Sequence, residues 1–246
     1  MTRDHQNQDH QGLPPVILVT GTDTGVGKTV ATAALAAALH AQGRSVAAYK
    51  PCQSGNKDGD SDCSEVARLA APRTAEAGVV LEEPLAPVQA AALNGVELPP
   101  LAAHAERIRQ LAAGHDHVLV EGAGGLLVEL DPDGGTLADL GALLGDGACF
   151  AVVARPSLGT LNHTGLTLEA LDRRSLAVAG VILGSWPEQP GLAEQGNRAA
   201  FASGTVPLLG ALPDAASALP VEAFREQAPQ WLDGKWLDGM RLDGLS

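Results

Sequence analysis

Short apolar runs recur along the chain without polar alternation, and most are followed by a glycine-rich turn and then by a segment of helical period. Val16-Ile17-Leu18-Val19, Ser45–Tyr49, Asp116–Val120, Cys149–Ala154, Val178–Leu183 and Val206–Leu209 read as strands. Runs of this kind belong to strands covered on both faces, as in a mainly parallel sheet. Between them, Thr29–Gln42, Asp62–Leu69, His104–Ala113, Thr136–Leu144, Thr164–Arg173 and Leu192–Ser203 read as helices. The first is rich in alanine, which lets a helix lie close on a sheet, and Gly43 ends it. Asp62 gives the second an acidic first turn, and Thr136 with Asp139 resembles a capping box. The alternation predicts an α/β fold, mainly parallel, with right-handed crossovers and helices on both faces. Leu126–Leu130 reads as a short strand or turn, Arg155–His163 as a loop and Gly210-Ala211-Leu212-Pro213 as a turn; Ala71–Pro100 has no clear period.

The junction between the first strand and the first helix, VTGTDTGVGKTV, carries chemistry. Strand, glycine-punctuated loop and Gly27-Lys28-Thr29 at a helix start form a phosphate-binding loop. Gly25 and Gly27 let the backbone approach phosphate oxygens, and the first helical N–H groups point at them unpaired. Lys28 adds a point charge, and the Thr29 hydroxyl suits Mg2+. The pattern departs from GxxxxGK[ST], since Thr22 stands where the first glycine belongs and Gly21 lies one residue early. Two further strand ends add groups at the same sheet edge, where open α/β sheets place ligands. The second strand delivers Lys50 and Ser54, with Asp62 just beyond; the strand ending at Val120 delivers Glu121 and a glycine run. Thr29, Asp62 and Glu121 make a hard oxygen set for Mg2+.

Bulk properties narrow the partners. The 246 residues suit one domain, so residues 1–14, polar and rich in His and Gln, read as a disordered leader and 15–246 as a single phosphate-loop domain. A formal charge of −13 and a pI near 4.8 argue against nucleic acid or an anionic membrane surface. Only four lysines occur, and Lys28 and Lys50 are two of them. Cys52, Cys63 and Cys149 leave at least one thiol unpaired, show no metal-ligand spacing and suit a reducing cytoplasm. No apolar stretch reaches the length of a membrane span. Trp231-Leu-Asp-Gly, Trp236-Leu-Asp-Gly and Arg241-Leu-Asp-Gly repeat every five residues near the end, too few units for a solenoid.

The segments VTGTDTGVGKT, YKPCQSG, VLVEGAGG and LGTLNHT, in this order and spread over Val16 to Pro213, resemble those of the dethiobiotin synthetases. That resemblance implies a P-loop NTPase fold and closure of the ureido ring of dethiobiotin from 7,8-diaminononanoate, CO2 and ATP with Mg2+. It implies that Asp23, Thr24, Gly25, Val26, Gly27, Lys28, Thr29 and Val30 hold nucleotide, with Glu121 beside them. Thr24, Lys50, Ser54 and Gly124 would face the diamine as its carbamate, and Thr24, Ser54, Lys28 and Lys50 would serve catalysis. Leu158, Gly159, Thr160, Leu161 and Asn162 would reach the substrate carboxylate across a homodimer interface. Gly184, Leu212 and Pro213 would lie near the base or ribose. The Gly184-Ser185-Trp186-Pro187 turn lacks the asparagine that would pair with adenine, so ATP or another nucleoside triphosphate is expected. Two other readings rest on the same loop. A cobyrinic-acid-type amidase needs a glutamine-hydrolysing domain for which no length remains, and a partition-type ATPase needs a lysine within Gly21–Thr24.

Overall fold

The computed structural model describes residues 13–57, 59 and 61–237. Residues 1–12 of the predicted leader and the third Leu-Asp-Gly unit lie outside these. In chain order the elements are β1 (Val16–Gly21), α1 (Lys28–Ala41), β2 (Val46–Gln53), α2 (Asp62–Ala70), β3 (Thr74–Val80), α3 (Pro87–Asn94), α4 (Leu101–Ala112) and β4 (His117–Gly125). There follow α5 (Leu137–Leu144), β5 (Ala148–Ala154), α6 (Thr160–Asp172), β6 (Val178–Trp186), α7 (Leu192–Ala202), β7 (Leu208–Pro213), α8 (Val221–Gln227) and α9 (Gly234–Leu237). The strands form one sheet in the order β3-β2-β4-β1-β5-β6-β7, and every named pair is parallel.

Period-2 side-chain direction divides β1 between two apolar layers. Ile17 and Val19 join the layer containing α1, α2 and Phe224 of α8, while Val16 and Leu18 join the layer containing α4 and α5. Both layers are apolar and buried, which is why the strand sequences show no polar alternation. In α1 the small side chains of Ala31, Ala34 and Ala38 leave room for Leu35 and Leu39, both fully buried. Each such leucine contributes about 1.5–3 kcal/mol relative to exposure. The predicted Thr136–Asp139 capping box is present at the start of α5.

Several predicted boundaries need correction. β2 continues through Lys50 and Pro51 to Gln53 because β3 stays in register after β4 has stopped pairing at Tyr49. Pro51 therefore breaks no β4 ladder. β4 likewise continues through Glu121 to Gly125, which lies opposite Gly21 after an irregularity in the β1 register. Leu126–Leu130 is a turn whose Glu129 forms an isolated bridge with Thr136. α6 begins at Thr160, not Thr164, since Gly159, with φ 90°, enters the helix without a side-chain cap. The last strand runs from Leu208 to Pro213, so the expected Gly210–Pro213 turn is strand. Within the unassigned Ala71–Pro100 stretch lie β3 and α3.

The first Leu-Asp-Gly unit lies along β7. Leu232 bridges Gly210 in antiparallel sense, and the Asp233 N–H donates to Leu209 O at 2.6 Å. A Cβ at Gly210 would stand 2.1 Å from Trp231 O, so only glycine admits this approach. Asp233 then accepts the Lys235 N–H at 2.9 Å at the start of α9, and Trp236 is buried against the α1 layer.

Candidate active site

β1, β2 and β4 are adjacent in the sheet, and their carboxyl ends open on one cleft of about 680 Å³. Thr24, Lys28, Thr29, Lys50, Ser54, Asp62, Glu121 and Gly124 all line it. Gly25, Gly27 and Val30 line it too. Gly27, with φ 96°, enters α1 in the left-handed region, and a Cβ there would meet Gly184 O at 2.6 Å. A Cβ on Gly184 would in turn stand 1.9 Å from Val26 O. The end of β6 therefore buttresses the phosphate loop backbone-to-backbone, a role for Gly184 that its place in the sequence does not suggest. The early glycine also has a physical reason. A side chain at Gly21 would meet Asp23 O at 2.7 Å and Lys28 Nζ at 3.0 Å, so the lysine lies where Gly21 leaves space.

The polar centre is a tight cluster. Lys50 Nζ donates to Glu121 Oε1 at 2.7 Å and pairs with Asp62 Oδ2 at 2.6 Å. The Thr29 hydroxyl stands 2.9 Å from Asp62 Oδ1 and 3.0 Å from Glu121 Oε1. Lys28 Nζ donates to Asp23 O at 3.1 Å. Lys50 and Glu121 are buried at 5% and 3% exposure, whereas the Asp62 side chain is 37% exposed. Burial opposes charge on Lys50, yet Glu121 and Asp62 hold its ammonium above the ordinary lysine range. Burial pulls Lys28 below that range, with Lys50 adding to the effect against the attraction of Glu121 and Asp62. Burial alone would raise the Asp62 carboxyl, but Lys50, Thr29 and Lys28 keep it below its ordinary value. Burial pushes the nearby Cys52 and Cys63 thiols up to about 12 and about 11, so both stay protonated at neutral pH and neither is an activated nucleophile.

The Ser54 hydroxyl is buried on the cleft wall with no hydrogen-bond partner among the described residues. A buried orphan hydroxyl is costly unless a ligand satisfies it. The oxygens of Thr29, Asp62 and Glu121 converge on a small volume of hard donors that fits Mg2+. Among the described residues no cluster of three His, Cys, Asp or Glu groups exists, so phosphate oxygens or water would complete the coordination.

Sequence reasoning missed several contributors. Gln53 accepts the Asp62 N–H at 2.9 Å and donates to Ser54 O at 2.9 Å, fixing both predicted residues at once. Pro84, Leu85, Ala86 and Pro87 form one wall of the cleft from the unassigned stretch. The available signal was Pro87, at a position that favours the first turn of a helix. Leu158, Gly159, Thr160, Leu161 and Asn162 do not line this cleft; Leu158 is 80% exposed and Thr160 is buried. Leu212 is fully buried in the α1 layer, and Pro213 pairs with Trp186, so neither forms the expected turn. Asp23 and Val26 also fall outside the cleft lining, Val26 in the core and Asp23 on the outer rim of the loop.

A family model described as an AAA domain matches residues 16–220. The ATP-dependent dethiobiotin synthetase BioD of Mycolicibacterium vanbaalenii is 48% identical over 89% of this chain and 98% of its own. That of Streptomyces avermitilis is 51% identical over 88% of this chain and 91% of its own. Among solved structures, the septum site-determining protein MinD of Pyrococcus horikoshii, complexed with Mg-ADP, aligns at a TM-score of 0.54 over 91% of this chain and 93% of its own. At 17% identity that likeness speaks for the fold alone. With relatives this similar over nearly their whole length, the chain belongs to the dethiobiotin synthetase family.

Proposed function

We propose that this protein closes the ureido ring of dethiobiotin from 7,8-diaminononanoate, CO2 and a nucleoside triphosphate, as a homodimer in the cytoplasm, acting through one phosphate-loop domain. The observation that carries the reading is the cleft in which Lys28, Lys50 and Thr29 meet Asp62 and Glu121 at three adjacent strand ends. Family membership supplies the substrates, and ATP is named for the relatives.

The residues suit the chemistry step by step. One amine of the diamine adds to CO2 and loses a proton, giving a carbamate. Lys50, held charged by its two carboxylates, and the orphan Ser54 hydroxyl would orient that anion. A carbamate oxygen then attacks the γ-phosphorus, the bond to the β-phosphate oxygen breaks, and a carbamic-phosphoric anhydride forms with release of the nucleoside diphosphate. The second amine attacks the carbonyl carbon, phosphate leaves carrying off the proton that this nitrogen loses, and the ring closes. Lys28 and the loop N–H groups would stabilise the charge moving onto the leaving oxygens. Mg2+ held by Thr29, Asp62 and Glu121 would neutralise β- and γ-phosphate charge when bound. The protein supplies position and electrostatics and no covalent nucleophile, consistent with thiols that stay protonated.

Leu158, Leu161 and Leu166 are exposed at 80%, 48% and 58%, which supports an interface at the start of α6 and a shared substrate-carboxylate site there. The three free cysteines support the cytoplasmic assignment, and no helix among the described residues is long and apolar enough to cross a membrane. The deciding assay is nucleotide cleavage with Mg2+ and bicarbonate, with and without the diamine, across ATP, CTP, GTP and UTP. Diamine-dependent cleavage with dethiobiotin as product is expected; cleavage indifferent to the diamine would overturn the reading.

A further inference from the structure

Asp23 places a carboxylate in a loop built to hold an anion. Its Oδ1 accepts the Thr24 N–H at 2.7 Å, its main-chain oxygen accepts from Lys28 Nζ at 3.1 Å, and its Oδ2 accepts from Arg155 Nη2. Arg155 is the first residue after β5, the strand that pairs with β1, so the ion pair ties the phosphate loop to the next loop along the sheet edge. Both partners sit on the rim, with side chains 37% and 52% exposed, and neither lines the cleft. His163 of α6 is a further cationic neighbour of Asp23 when protonated. Among the described residues Arg155 Nε is buried without a hydrogen-bond partner, and the ion pair with Asp23 is the contact that orients the guanidinium.

Left alone, the Asp23 carboxylate would repel a triphosphate seated on the same loop, an effect that salt screens. We infer that Arg155 is a positioning residue for the nucleotide: it cancels the Asp23 charge and pins the residue whose carboxylate accepts from Thr24 and whose main-chain oxygen accepts from Lys28. The inference rests on the nucleotide reading of the loop given above. It assigns a role to a residue outside every motif in the sequence.

The test is binding of the non-hydrolysable β,γ-imido analogue of ATP, with Mg2+, to the full chain. The variants are Arg155→Ala, Arg155→Lys, Asp23→Asn and the double variant Asp23→Asn with Arg155→Ala, each checked by thermal melting. Arg155→Ala should weaken the analogue about two- to five-fold, the range of a partly exposed charge pair, and Arg155→Lys should keep most of the affinity. The double variant should return to within about two-fold of Asp23→Asn, because the repelling charge has gone with its partner. The Arg155→Ala deficit should also shrink at high salt. Unchanged affinity in Arg155→Ala, or a double variant weaker than Arg155→Ala, would overturn the inference. A wild-type chain that binds no analogue would overturn the nucleotide reading, and this inference with it.

Discussion

Replacing Lys50 by methionine keeps the length of the side chain and removes one charge from a cluster in which two lysines face two carboxylates. The variant leaves Asp62 and Glu121 sharing the Thr29 hydroxyl with Lys28 as the nearest remaining cation. Removing one partner of a buried pair costs about 3–5 kcal/mol, chiefly because the other charge stays buried and unpaired. Glu121 is buried, but the Asp62 side chain is 37% exposed and reaches water, so the lower end, about 3 kcal/mol, applies. For a chain of this size that is a fall in melting temperature of about 6–12 °C. Mg2+ should restore more of the loss in the variant than it adds to the wild type, since the Lys50 ammonium already pairs with both carboxylates and holds Glu121 Oε1, an oxygen a metal would use. Turnover should fall at least about 10²-fold even when Mg2+ has restored the fold, because a preorganised charge has gone. The assay is a melting series with and without Mg2+, paired with diamine-dependent nucleotide cleavage. A variant that melts within about 2 °C of wild type and gains no more from Mg2+ would refute the reasoning.

Lys28→Ala should abolish turnover and lower the melting temperature less than Lys50→Met, because the Lys28 ammonium donates to the Asp23 carbonyl rather than to a buried carboxylate; kinetics beside a melting curve checks both halves. Glu121→Gln should weaken Mg2+ dependence more than nucleotide affinity, read by metal titration at fixed nucleotide. Gly184→Ala should displace Val26 and Gly27, since its Cβ would stand 1.9 Å from Val26 O; nucleotide affinity should fall at least about ten-fold, and a wild-type value would argue against the buttress. Asp62 is held below its ordinary carboxyl value, so its stabilising effect is complete above the unfolded value of 3.8 and is lost as pH falls through the folded value. Stability measured by denaturant titration should therefore drop below about pH 4, with a shallower slope in Lys50→Met.

The central strands were legible because burial on both faces leaves unbroken apolar runs, as in Val16–Val19 and Cys149–Ala154. β3 was not, because Thr74–Val80 forms the sheet edge with half-exposed residues and no apolar run. The start of α6 was hidden by a left-handed glycine in place of a capping side chain, and the end of β7 by Gly210 and Pro213, which usually end strands. In the cleft, Lys28, Thr29, Lys50, Ser54, Asp62 and Glu121 could be read because each lies toward the carboxyl end of a strand, just beyond one or at a helix start within a short motif. Gln53 could not, since its bonds to Ser54 and Asp62 depend on how the intervening loop folds back, and the Pro84–Pro87 wall could not, since it meets the cleft from an unassigned stretch. The ion pair between Asp23 and Arg155 spans 132 residues and leaves no local pattern at all.

The strand-like pairing of Leu232 and Asp233 with β7 bears on how the protein tolerates trimming. An uncovered parallel-sheet edge is a template on which a second chain can add a strand, and natural proteins hide such edges. Here the cover is supplied by the Trp-Leu-Asp-Gly unit, anchored by Trp231 edge-on to Phe224 with ring centroids 5.2 Å apart. A proteolytic cut just before Trp231 that released the segment beyond it would remove none of the cleft residues, yet it would uncover the β7 edge and the α1 layer on which Trp236 packs, and so produce a sticky species. Loss of material on storage would then follow from precipitation rather than from chemical damage within the cleft.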